Sequence, residues 1–150
     1  MAKRLTFESV NLGDELPKVH RYYDQEIIWR YAVGSLDYNP VHSHPDWIKT
    51  AQVFGIPSTV GHGAMCLSLM GTVITNWAYP VGGWLKYLET KFTRPVLPGD
   101  TITFGGVVTE KHPGRGDKNF VVVELYADNQ DGARVAVGEA QVILPSEKSS

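Results

Sequence analysis

The sequence predicts an α+β domain in which an antiparallel sheet curls around one apolar helix. Three observations carry this. The run 64–77 is apolar and places Met65, Leu69, Val73 and Trp77 four residues apart, on one helical face. Four strand-like segments follow, at 84–93, 101–112, 120–127 and 134–144. Turn clusters at 95–99, 113–118 and 129–132 separate them. With a short strand ahead of the helix, this order lets a sheet wrap one helix.

Taken in order, residues 1–7 carry Lys3 and Arg4 with no apolar core behind them, and no window reaches the roughly 18 apolar residues of a membrane span. The expectation is a soluble, cytoplasmic protein. Residues 16–23 read as an edge strand. Asp24 is then an N-cap for a helix that shows Ile27, Ile28, Tyr31 and Ala32 on one face and ends near Gly34. Asn39 precedes Pro40, which pushes it toward extended backbone, so 37–42 is expected to be a loop and not helical. Ser43 or Asp46 starts a short helix through Trp47, Ile48 and Ala51, and 54–58 breaks it. In 101–108, Ile102, Phe104 and Gly106 alternate with Thr103, Gly105 and Val107, which leaves the register open. Residues 146–150 read as a frayed tail. Without repeats or a linker-like tract, residues 1–150 form a single domain.

Net charge is −2 with no long run of either sign, so the electrostatic footprint of a nucleic-acid binder is missing. Cys66 is the only cysteine, which rules out an intrachain disulfide, and its place in the apolar run marks a small core residue. His42 and His44 lie two apart without a third ligand in zinc spacing, so no metal is expected.

Chemistry concentrates in two segments. Asp37 and His42 sit five residues apart, and a carboxylate and an imidazole held together can share one water as acid and base. Ordinary turn chemistry, with Asp37 and Asn39 bonding nearby backbone, is the competing reading. Gly61-His62-Gly63 opens the apolar helix, and a helix starting at a glycine presents free N–H groups able to hold an oxyanion.

Asp37-x-Asn39-Pro40-x-His42, then His62-Gly63 before an apolar helix, then Arg94-Pro95-Val96-Leu97-Pro98-Gly99-Asp100, together resemble the MaoC-like family of (R)-specific enoyl-CoA hydratases and 3-hydroxyacyl thioester dehydratases. The resemblance spans nearly the whole chain and implies a hot-dog fold. It also implies reversible hydration of trans-2-enoyl thioesters to (R)-3-hydroxyacyl thioesters. Asp37 and His42 would hold the water, and Gly63 would give its N–H to the thioester oxygen. Asn39 would orient its neighbours, His62 would brace the loop, and Gly71 would leave room for the acyl chain. No cofactor is implied beyond the coenzyme A or acyl carrier protein of the substrate. The expected partner is a second hot-dog subunit, in a homodimer or heterodimer.

The sequence departs from the family pattern at Leu36, where many members have glycine, and at Gly71, where some have serine. Two other readings share the fold: a non-catalytic subunit of a heteromeric dehydratase, and an acyl-CoA thioesterase. Arg115-Gly116-Asp117 reads as turn chemistry, although Lys111, Arg115 and Lys118 could meet phosphates.

Overall fold

The computed structural model describes residues 5–114 and 118–147. The readings placed on residues 1–4, on Arg115-Gly116-Asp117 and on 148–150 lie outside them. The chain runs β1 (Val19–Tyr22), α1 (Gln25–Ser35), α2 (Pro40–Ser43), α3 (Pro45–Ala51) and α4 (Gly63–Ala78). After a 3-10 turn at Tyr79–Val81 come β2 (Trp84–Phe92), β3 (Thr101–His112), β4 (Phe120–Asp128) and β5 (Arg134–Ile143). The five strands make one antiparallel sheet in the order β1-β3-β4-β5-β2.

The sheet closes on α4, the arrangement of a hot-dog fold. Met65, Leu69, Met70, Val73 and Ile74 of α4 share one buried cluster with Phe104, Val123, Leu125, Ala140 and Val142 of the strands. Each of these side chains larger than alanine contributes roughly 1.5–3 kcal/mol on burial. Trp77 packs only at the margin of this cluster, and Ala78 takes the buried position at the helix end. Along β3, Ile102, Phe104, Gly106 and Val108 are buried toward the core. Gly105 is buried too, because the Tyr126 ring lies where its side chain would be. Two adjacent buried glycines are what blurred the alternation.

Three expectations need correction. The strand expected over 16–23 is a continuous ladder only at Val19–Tyr22, because Pro17 has no N–H to give it; before it, Glu15 makes one isolated bridge to Val107 and Leu16 donates to the Gly106 carbonyl at 2.9 Å. Residues 37–42 are not wholly a loop: Pro40 begins α2, which carries His42. Proline restricts the residue before it, and Asn39 is indeed non-helical, but proline fits the first helical position, where no N–H is needed. The same device starts α3 at Pro45, with His44 as its cap, where Ser43 or Asp46 was expected.

Asp24 caps α1 as expected, its Oδ1 accepting from the Ile27 N–H at 2.7 Å. The 95–99 turn is tied beside the start of α1: Gly99 donates to the Tyr23 carbonyl at 2.7 Å, and Tyr23 to that of Asp100 at 2.8 Å. Gly61 donates to the Val96 carbonyl at 2.8 Å, which brings the His62-Gly63 segment against the same turn.

Candidate active site

Asp37, His42 and His62 converge where the end of α1, the turn of α2 and the start of α4 meet. Leu36 ends α1 in left-handed backbone at φ 59° and turns the chain outward. Asp37 Oδ1 accepts from the Asn39 N–H at 3.3 Å, and Asn39 Oδ1 in turn accepts from Val41 at 3.2 Å, which starts α2. Asn39 thus supports the helix that presents His42. Asp37 Oδ2 lies 3.9 Å from Nε2 of both His42 and His62.

Hydrogen bonds fix both ring tautomers. His42 Nδ1 lies 2.7 Å from the Val60 carbonyl, which only accepts, so Nδ1 carries a proton, and the neutral ring has its lone pair on Nε2, on the side of Asp37. His62 Nε2 lies 3.1 Å from the Asp37 carbonyl and must donate, which leaves its buried Nδ1 without a partner. Burial holds the His62 imidazole below its ordinary pKa, the nearby His42 acts in the same direction, and the Asp37 carbonyl and charge oppose. His62 is therefore a neutral donor at neutral pH.

The three groups lie close enough to suggest a cation site. The two rings, however, stack with centroids 3.9 Å apart and planes 25° apart. An ion at about 2.0–2.1 Å from a histidine nitrogen sits near the ring plane, and nearly parallel stacked planes offer no common point for both nitrogens. A metal bridging the pair does not fit.

Gly63 is the first residue of α4, and His62 gives this helix no side-chain cap. Among the described residues nothing accepts the Gly63 N–H, which leaves a donor at the positive end of a 16-residue helix. A side chain at Gly63 would begin 2.9 Å from the Phe92 ring, so only glycine lets that ring stand here undisturbed. An apolar cavity of about 380 Å³ opens beside it, lined by His42, His62, Gly63, Cys66, Phe54, Phe92 and Val96 among others. Burial pushes the Cys66 thiol up to about 12, so it forms cavity wall and no nucleophile.

Asp37, His42, His62, Gly63 and Asn39 are thus brought together. Gly71 is not: it lies two turns along α4, outside this lining, where a side chain would touch Leu88 at 3.6 Å. Sequence reasoning passed over Phe92, Gln25 and Thr59. Phe92 had no signal beyond its strand; Gln25 and Thr59 act through pairing 34 residues apart.

The family profile for the MaoC like domain matches residues 9–130. An (R)-specific enoyl-CoA hydratase from Rhodospirillum rubrum is 28% identical over 140 residues, covering 93% of this chain and 92% of that protein. The 3-hydroxyacyl-thioester dehydratase Y of Mycobacterium tuberculosis is 32% identical over 122 residues, 81% of this chain, and the chain spans only 36% of its length. Among solved structures, the unliganded R-hydratase PhaJ1 from Pseudomonas aeruginosa superposes with a TM-score of 0.83 at 26% identity, covering 96% of this chain and 88% of that one. With the convergent Asp37 and His42, these matches lead to one assignment: the chain belongs to the MaoC-like domain family.

Proposed function

We propose that the protein reversibly adds water to trans-2-enoyl thioesters, giving (R)-3-hydroxyacyl thioesters. The observation that carries this is the 3.9 Å gap between Asp37 Oδ2 and the His42 Nε2 lone pair at the edge of the apolar cavity. That gap is too wide for a direct hydrogen bond and suits one water set off the line between them. Both atoms face it as acceptors, so a water there donates one O–H to each and turns its lone pairs outward, toward the β-carbon. As oxygen adds, the pair takes the proton and returns one to the α-carbon. The Gly63 N–H, at the head of α4, holds the charge that builds on the thioester oxygen. Asn39 and His62 place the reacting groups and transfer no proton. The cavity holds the acyl chain, presented by coenzyme A or acyl carrier protein.

Product analysis tests the reading. Incubation with crotonyl-, octenoyl- and longer enoyl-coenzyme A should bleach the enoyl absorbance without freeing thiol. Thiol release would make the protein a thioesterase, and neither change would make it a supporting subunit. A supporting subunit has no need of a Gly63 donor set beside an Asp37–His42 pair; a thioesterase would use the same set, so the product separates it from a hydratase.

The assembly proposed is a dimer with a second hot-dog subunit. Strand β2 is an edge of the sheet and exposes Trp84, Tyr87 and Phe92 by 43–49%. Such an edge leaves backbone donors and acceptors unpaired unless another chain joins it. Sedimentation at micromolar concentration should show the dimer; a sharp monomer boundary counts against it.

A further inference from the structure

We infer that Gln25 and Trp29 of α1 are positioning residues that set the orientation of His42. The inference rests on the catalytic role proposed for His42. Helix α2 is one turn long, and an isolated turn has no stability of its own. Its final carbonyls lack partners within the helix and need them from outside.

Helix α1 supplies two. Gln25 Nε2 donates to the His42 carbonyl at 2.9 Å, and Trp29 Nε1 donates to the Ser43 carbonyl at 2.9 Å. The donors stand one turn apart on α1 and meet successive carbonyls of α2, so one helix face caps the other helix's end. Because a carbonyl only accepts, Gln25 must present its nitrogen to His42 and its oxygen the other way. There Oε1 accepts from the hydroxyl of Thr59, which is 2% exposed.

The next residue, Val60, accepts from the His42 ring and donates to the Val41 carbonyl at 3.1 Å. Thr59 and Val60 therefore reach His42 from two sides, one through the Gln25 amide to its backbone and one to its imidazole. With Asn39 fixing the start of α2, His42 is held at its carbonyl, its ring and its helix entry. None of Gln25, Trp29 and Thr59 lines the cavity, so they act on the reaction only through His42.

The test is a cycle with His42→Ala, read as initial rates of crotonyl-coenzyme A hydration. Gln25→Met keeps the side-chain length and removes both hydrogen bonds. In the otherwise native protein it should lower kcat by about tenfold or more while leaving KM within about twofold, as expected when a reacting group is misplaced and substrate binding is not. In the His42→Ala background the same change should cost nothing further. Gln25→Lys, which restores a donor, should recover most of the rate, and Trp29→Phe should lower kcat in the same direction with the ring retained. Thermal melting selects folded variants, and Trp29→Phe carries the cycle if Gln25→Met fails to fold. An equal fractional loss in both backgrounds, or an unchanged kcat in a folded variant, overturns the inference while the proposed function stands. Native turnover by His42→Ala alone would instead remove the proposed function, and this inference with it.

Discussion

The rings of His42 and His62 stack face to face, 3.9 Å between centroids, and each Nε2 stands 3.9 Å from the same Asp37 oxygen. Two imidazoles so close cannot both take a proton at low cost, and their surroundings decide which one does. His62 is 2% exposed and committed as a donor to the Asp37 carbonyl, whereas His42 keeps a bare Nε2. In the proposed hydration, proton transfer therefore falls to His42 and not to His62.

Stability should show the cost of keeping His62 neutral. Its folded pKa lies below its unfolded value, chiefly through burial. Between those two values the unfolded chain binds more protons than the folded one, so stability is full above about pH 6.5 and falls as pH drops below it. His62→Gln keeps an N–H donor and cannot titrate. Urea unfolding at about pH 7.5 and about pH 5.5 should show the native protein losing more stability than His62→Gln. Parallel losses would mean that His62 does not resist protonation.

Asp37→Asn and His42→Ala should each slow hydration by about a hundredfold or more, the range that a positioned acid or base supplies. Both should stay folded, because Asp37 is half exposed and the ends of α2 are held by other residues, with His42→Ala melting lower because it frees the buried Val60 carbonyl. Rates near native in either variant would remove the shared-water mechanism.

The architecture was legible because its signals are local. A helical face of apolar residues and four strands with turn clusters between them needed no knowledge of the site, and β2 to β5 fall within one residue of expectation. Pro40 was misread because proline has two opposite meanings: it forbids helix to Asn39 and begins one for His42. Leu36 shows why glycine suits that position, since φ 59° costs an L-residue roughly 1–2 kcal/mol that glycine avoids. Asp37 and His42 were found together because five residues of chain confine them. Gln25, Thr59 and Phe92 stayed hidden because each meets its partner across a distance in sequence that no periodicity encodes.

Cys66 makes a separate prediction. An enoyl thioester is an electrophile for thiolates, and this thiol faces the cavity proposed to hold one. Burial lifts its pKa to about 12, so almost no thiolate exists at neutral pH. Iodoacetamide should leave the folded protein unmodified over hours and add a single group once urea unfolds it, as read by intact mass. Rapid labelling of the folded protein would show that the thiol is neither buried nor protected.

The proposed oxyanion donor can be separated from the shape around it. Gly63→Pro deletes the N–H and keeps a residue suited to the first helical position, but its ring also meets Phe92. Gly63→Ala meets the same Phe92 ring at 2.9 Å and keeps the N–H. The alanine variant therefore reports the steric part alone, and Phe92, about half exposed, has room to yield. Removing one oxyanion donor costs on the order of 100- to 1000-fold in kcat, so Gly63→Pro should fall below Gly63→Ala by about that factor. His62→Ala should lie well above Gly63→Pro, because the donor survives and only the brace on Asp37 is lost. Circular dichroism and thermal melting set the comparison at matched folding. If folded Gly63→Pro matches Gly63→Ala while His62→Ala is inactive, the oxyanion role passes from the Gly63 backbone to the His62 ring.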